Sequence, residues 1–182
     1  MASPHDQSQY QVRFDWGVDG ALTVGSDADV IVFVDVLASP AGDLPASPLS
    51  GLRATVIDGG FGNRTAVAEW VLARQAEKGD RFAVAVIASG AQHSGGGLRF
   101  TVEDLLAAGA IVDALAVVGI DYCSPEAAAA CAAFTGLRGA VGHLVSASAS
   151  GRQLLADDPS ADLGRAALLD VSDDVRVLKE YR

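Results

Sequence analysis

Apolar positions along this chain come in two patterns. The first is the unbroken run. Val30-Ile31-Val32-Phe33-Val34-Asp35-Val36-Leu37 is almost entirely β-branched or apolar, which predicts a central strand buried on both faces. Phe82 to Ala88 predicts a second such strand, and Ala54 to Asp58 a shorter one. Gln9 to Trp16 alternates as a strand does. After the turn Trp16-Gly17-Val18-Asp19-Gly20, the segment Ala21-Leu22-Thr23-Val24 reads as a further strand. Val175 to Leu178 reads as the last one.

The second pattern has helical spacing. Val67, Trp70 and Val71 share a face in a segment that Asn63 or Thr65 can cap and Lys78-Gly79 ends. Val102, Leu105, Leu106, Gly109 and Val112 repeat at helical spacing after Thr101. Ser124-Pro125-Glu126 opens an Ala-rich helix to about Phe134, and Ser150 can cap a short helix through Leu155. Between these elements, Ala38 to Gly51 carries Pro40, Pro45 and Pro48 and reads as an irregular surface loop. Ser89 to Gly97 reads as a glycine-rich loop.

A strand, a helix and a strand over 54–88 imply parallel pairing. The expected fold class is α/β, a three-layer α/β/α arrangement around a mixed, mostly parallel sheet. Residues 1–8 read as a disordered lead and 9–182 as a single domain, with no repeat and no separating linker. The length of 182 residues suits that reading, and the 50% of apolar residues suffices for a core.

Net charge is −10, which argues against a nucleic-acid or anionic-membrane partner. It leaves room for an anionic small substrate, because a metal or a local basic pocket can invert the field. The polar start Met1-Ala2-Ser3-Pro4 shows no signal peptide, and Val30–Val34 is too short to span a membrane. A cytoplasmic protein is expected, with Cys123 and Cys131 as buried thiols. The sequon Asn63-Arg64-Thr65 is discarded on the same ground.

Three acids carry the candidate chemistry. Asp35 stands inside an apolar strand, where an unpartnered carboxylate is costly. Either it bonds loop amides near the strand end, or it serves as a metal ligand or nucleophile at the carboxyl edge of the sheet. Glu103 and Asp104 fall in the first turn of a helix. They can act as caps, with Thr101 and Asp104 forming a capping box, or one can cap while the other points at a metal. Gly59-Gly60-Phe61-Gly62-Asn63-Arg64 precedes a helix and is an anion candidate, with helix amides and Arg64 converging. The glycine loop after Ser89-Gly90 is a weaker nest for phosphate, without the Lys of a P-loop.

Several of these segments, in order, resemble the 2-phosphosulfolactate phosphatase family. They are Asp29 to Leu37, Asn63 to Trp70, Val86 to Gly90, Val102 to Leu105 with Ala108-Gly109-Ala110, Ser150 to Leu154, and Leu169 to Asp173. The resemblance implies an α/β/α fold and Mg²⁺-dependent hydrolysis of a small phosphorylated acid, 2-phosphosulfolactate, on a route to coenzyme M. It implies Asp35, Glu103 and Asp104 as catalytic and metal-holding residues. Asn63, Arg64 and Gly90 become the expected substrate-binding residues, and a homodimer is left open. The chain also departs from the family pattern, at Ala38-Ser39-Pro40, at Gly90-Ala91-Gln92, at Arg176 and in a shorter middle. These departures support an alternative: a catalytically impaired homologue that binds small molecules or forms dimers.

Overall fold

The computed structural model describes residues 4–37, 49 and 51–181. Most of the expected loop at 38–51 lies outside these described residues.

Five strands form one sheet in the order β1-β4-β2-β3-β7, where β1 is Val12–Trp16, β2 Val30–Val34, β3 Thr55–Gly59, β4 Val84–Ala88 and β7 Val177–Lys179. The first four are parallel, and β7 closes the edge antiparallel to β3. The sheet is mixed and mostly parallel, as the sequence predicts. Both apolar runs are central: β2 and β4 pair with each other and are buried along their whole length. The glycine loop is drawn into a small hairpin, β5 (Ala91–Gln92) with β6 (Leu98–Arg99).

The helices are α1 (Gly17–Val24), α2 (Arg64–Lys78), α3 (Val102–Val117), α4 (Pro125–Leu137), α5 (Val141–Ala147), α6 (Ala149–Asp157) and α7 (Leu163–Ala166). Alternation along β2 divides the core between two faces. Val30, Val32 and Val34 pack with residues of α2, α3 and α4, among them Val67, Ile111 and Phe134. Ile31 and Phe33 point the other way, onto Ala21 and Val24 of α1 and onto Leu49. That is the expected three-layer order.

Sequence expectations are corrected at Ala21–Val24 and at the two cysteines. Ala21–Val24 belongs to a helix, because β1 and β2 are parallel and need a crossover over β4, which an extended segment does not provide. Of the two serines before Gly151 that the sequence offers as caps, Ser148 caps α6, its hydroxyl oxygen accepting from the Gly151 amide at 2.9 Å. Pro4–Asp6 make a turn of 3₁₀ helix, and the Gln7 side chain is hydrogen-bonded to both backbone groups of Phe14. The thiols of Cys123 and Cys131 are only half-buried.

By length and composition alone, the helical stretch Pro125–Ala147 could cross a membrane. In this fold it contributes Ala127, Ala130, Phe134, Val141 and Val145 to the core. The α3–α4 contact is close: a Cβ on Gly109 would lie 2.0 Å from the Ala130 carbonyl oxygen.

Candidate active site

The carboxyl ends of β2, β3 and β4 lie side by side, with Val34 opposite both Gly59 and Ala88. The next residues are therefore brought together. Ser89 donates its amide to the Val34 carbonyl at 2.8 Å, and its hydroxyl reaches Asp35. Val36 and Leu37 after β2, and α3 after β4, pack on the same face of the sheet. Open α/β sheets bind ligands in a crevice at this carboxyl edge.

Asp35 sits in that crevice, partly buried. Burial raises its carboxyl above the ordinary range, the Ser89 hydroxyl opposes this, and the negative charges of Asp58 and Glu103 raise it further. Sequence reasoning passed over Asp58. It ends an apolar strand run just as Asp35 does, so the same signal marked it. Burial raises its carboxyl as well, with Arg176 lowering it and Asp174 raising it.

Glu103 is 2% exposed, and its Oε2 is buried without a hydrogen-bond partner. A buried carboxylate oxygen with no donor loses its hydration uncompensated. Since Glu103 also raises the Asp35 carboxyl, the two acids share one electrostatic environment.

Asp104 has a different position. Its Oδ1 accepts from the Val36 amide at 2.9 Å. Its Oδ2 accepts from the Gly90 amide at 2.9 Å and from the Thr101 hydroxyl at 2.7 Å. Both oxygens are engaged in tying the end of β2 and the end of β4 to the start of α3. The expected capping box is corrected here: the Thr101 hydroxyl bonds the Asp104 carboxylate and caps no helix amide. Burial pushes the Asp104 carboxyl up to about 7 despite these three donors, with Asp35 adding to the shift.

Gly90 takes φ +67°, and a Cβ there would meet Leu98 Cδ1 at 2.8 Å and the Arg99 carbonyl oxygen at 2.9 Å. Its amide is engaged by Asp104. The residue borders a cavity of about 400 Å³ walled by Trp16, Phe33 and Leu98. A second cavity, of about 310 Å³, is lined by Asp35, Asp58, Asn63, Asp174 and Arg176.

Asn63 lines that second cavity but works locally. Its Oδ1 accepts from the Gly60 amide at 2.9 Å, and its Nδ2 donates to the carbonyls of Asp58 and Asp174 at 3.2 and 3.1 Å. Arg64 is directed away from both cavities. Its guanidinium pairs with Asp113 at 3.1 Å and Asp170 at 2.9 Å, and it stacks over Phe134. Asp170 also accepts from the Thr65 amide at 3.1 Å. Burial opposes its ionisation, yet bonds from Thr65 and Arg64 hold its carboxyl below the usual range. The start of α2 thus carries an anion from its own chain, where the sequence suggested an external one.

Among the described residues, no three His, Cys, Asp or Glu side chains converge into a set that could hold a metal ion. Asp35 and Glu103 feel each other's charge, and Glu103 Oε2 has no hydrogen-bond partner. Two carboxylates suit Mg²⁺, which fills its remaining positions with water and substrate phosphate.

Fold and crevice define an α/β protein with an acid-rich site at the carboxyl edge of its sheet. Residues 46–181 match the family profile of 2-phosphosulpholactate phosphatase, and the chain belongs to that family. The match starts beyond β2, so Asp35 lies outside it. Comparison with curated proteins returns no match.

Proposed function

We propose that this protein is a Mg²⁺-dependent phosphatase acting on a small phosphorylated acid of the 2-phosphosulfolactate kind, with Asp35 and Glu103 as the working carboxylates. The observation that carries this reading is the orphaned Glu103 Oε2, buried at the start of α3 and within electrostatic reach of Asp35 at the carboxyl edge of the sheet. Such an oxygen calls for a cation. Family membership supports the choice of a phosphoryl substrate.

Mg²⁺, when bound, would neutralise phosphoryl oxygens at this acid-rich edge. The chain's own groups have separable roles in the proposal. Asp35 and Glu103 would hold the cation. The Ser89 hydroxyl orients the Asp35 carboxyl. Asp104 is a positioning residue, fixing the Val36 and Gly90 amides on either side of Asp35. Arg64 and Asp170 keep α2 seated and take no part in the reaction.

A second reading is a homologue that binds its ligand without turning it over. It is favoured by the absence, among the described residues, of a three-ligand metal cluster. Steady-state phosphate release from 2-phosphosulfolactate separates the two. The phosphatase reading expects Mg²⁺-dependent release abolished by EDTA and reduced on the order of 100-fold or more in Asp35→Asn. Release by neither wild type nor variant at any Mg²⁺ concentration would leave the binding reading.

A further inference from the structure

The crevice has a pronounced imbalance of charge. Asp35, Asp58 and Asp174 line the second cavity, with Glu103 beyond Asp35. Arg176 is the one cation among the described residues lining either cavity at this edge. Residues 38–50, which lead out of β2, contain no Lys or Arg.

Arg176 is also well placed to be used. Its backbone is fixed, since its carbonyl accepts from the Asp58 amide at 2.9 Å. The segment before it is laid over the β3–α2 turn by three further bonds: the Asp170 amide to the Phe61 carbonyl, the Ser172 amide to the Gly62 carbonyl, and Asn63 Nδ2 to the Asp174 carbonyl. The side chain is free by contrast. It is 68% exposed, and its only ion pair among the described residues is with Asp58 at 3.9 Å, beyond hydrogen-bond distance. The guanidinium keeps its whole fork of N–H donors for a ligand.

We propose that Arg176 anchors a second oxyanion of the substrate, a carboxylate or sulfonate that does not react, while the phosphoryl group lies at Asp35 and Glu103. The inference rests on the phosphatase reading of those two acids and adds a specificity element to it. A guanidinium matches a planar carboxylate or a sulfonate in two-point fashion. Asp58, 3.9 Å from the guanidinium, is the charge that such a group would replace. The consequence is a preference for phosphorylated acids over simple phosphate monoesters.

The test uses full-length protein and two readouts. The first is calorimetric binding of sulfolactate, which carries two oxyanions and no phosphate. Arg176→Ala should weaken it on the order of 10- to 100-fold, and Arg176→Lys should restore part of the loss. Because the side chain is exposed, the melting temperature of Arg176→Ala should match that of the wild type. The second is turnover. Arg176→Ala should raise KM for 2-phosphosulfolactate by a similar factor with kcat nearly unchanged, and should leave kcat/KM for p-nitrophenyl phosphate as it was. Equal sulfolactate affinity in wild type and Arg176→Ala, or no binding to either, would overturn the proposal. Binding that depends on Arg176 without phosphate release from any substrate would overturn the phosphatase reading and leave the anchor standing.

Discussion

Asp104 accepts a hydrogen bond from the Gly90 amide at 2.9 Å, fastening the end of β4 to the first turn of α3. The same carboxylate takes the Val36 amide, just beyond Asp35. One buried side chain therefore sets the spacing of the two strand ends that frame the site. Asp104→Ala would strand three donors, at a cost of about 3 kcal/mol. Urea unfolding measures it. A change below about 1 kcal/mol would show that water replaces the carboxylate without loss.

Asp104 also gives the fold a pH dependence with a definite sign. Its carboxyl is raised to about 7 in the folded state, and those of Asp35 and Asp58 are raised as well. Between the ordinary carboxylate value and about 7, the folded state binds more protons than the unfolded chain, so stability falls as pH rises through this window. The melting temperature should be higher at pH 5.5 than at pH 8, and the slope should flatten in Asp104→Asn. Cation binding runs the other way, because Asp35 must ionise to act as a ligand. Mg²⁺ affinity should therefore increase as pH rises above the ordinary carboxylate value.

Arg64→Ala should be a stability variant rather than a binding variant. It would leave Asp113 and Asp170 without their guanidinium and take the stacked cation from Phe134. Breaking a largely buried ion pair from one side costs about 2–4 kcal/mol once partial exposure of the partners is discounted. Sulfolactate affinity at a temperature where the variant is folded should be unaffected. A loss of affinity larger than the loss of stability would return Arg64 to the site.

Gly109→Ala tests the packing behind the site. Its Cβ would come within 2.0 Å of the Ala130 carbonyl oxygen and 2.9 Å of Phe134 Cβ, so α3 and α4 must move apart. Overpacking of this kind costs about 1–3 kcal/mol, occasionally more. An unchanged melting temperature would mean that the helix pair is looser than this contact implies.

Much of the frame could be read from residue patterns because its main elements are extreme. β2 and β4 are uninterrupted apolar runs, and α2 and α3 repeat their apolar positions at helical spacing. The helix α1 escaped because eight residues give little periodicity, and what decides its state is the crossover between β1 and β2. Asp35 stood out as an acid in an apolar strand, and Glu103 and Asp104 as adjacent acids in the first turn of a helix. The roles of Arg64 and Arg176 could not be told apart in sequence. Asp113 and Asp170, which occupy Arg64, lie 49 and 106 residues away, and only the fold brings them to it. Arg176 acquires its place because β7 pairs antiparallel with β3, which carries the residue to the same edge as Asp35.

The central claim is that Asp35 and the orphaned oxygen of Glu103 form a cation site. Titration of Mg²⁺ into the full-length protein at pH 8, followed by calorimetry, addresses it most directly. The predicted result is one Mg²⁺ bound by the wild type and weakened on the order of tenfold or more in Glu103→Gln, with the fold intact. Equal Mg²⁺ binding by wild type and Glu103→Gln, or no binding by the wild type even with inorganic phosphate present, would contradict it.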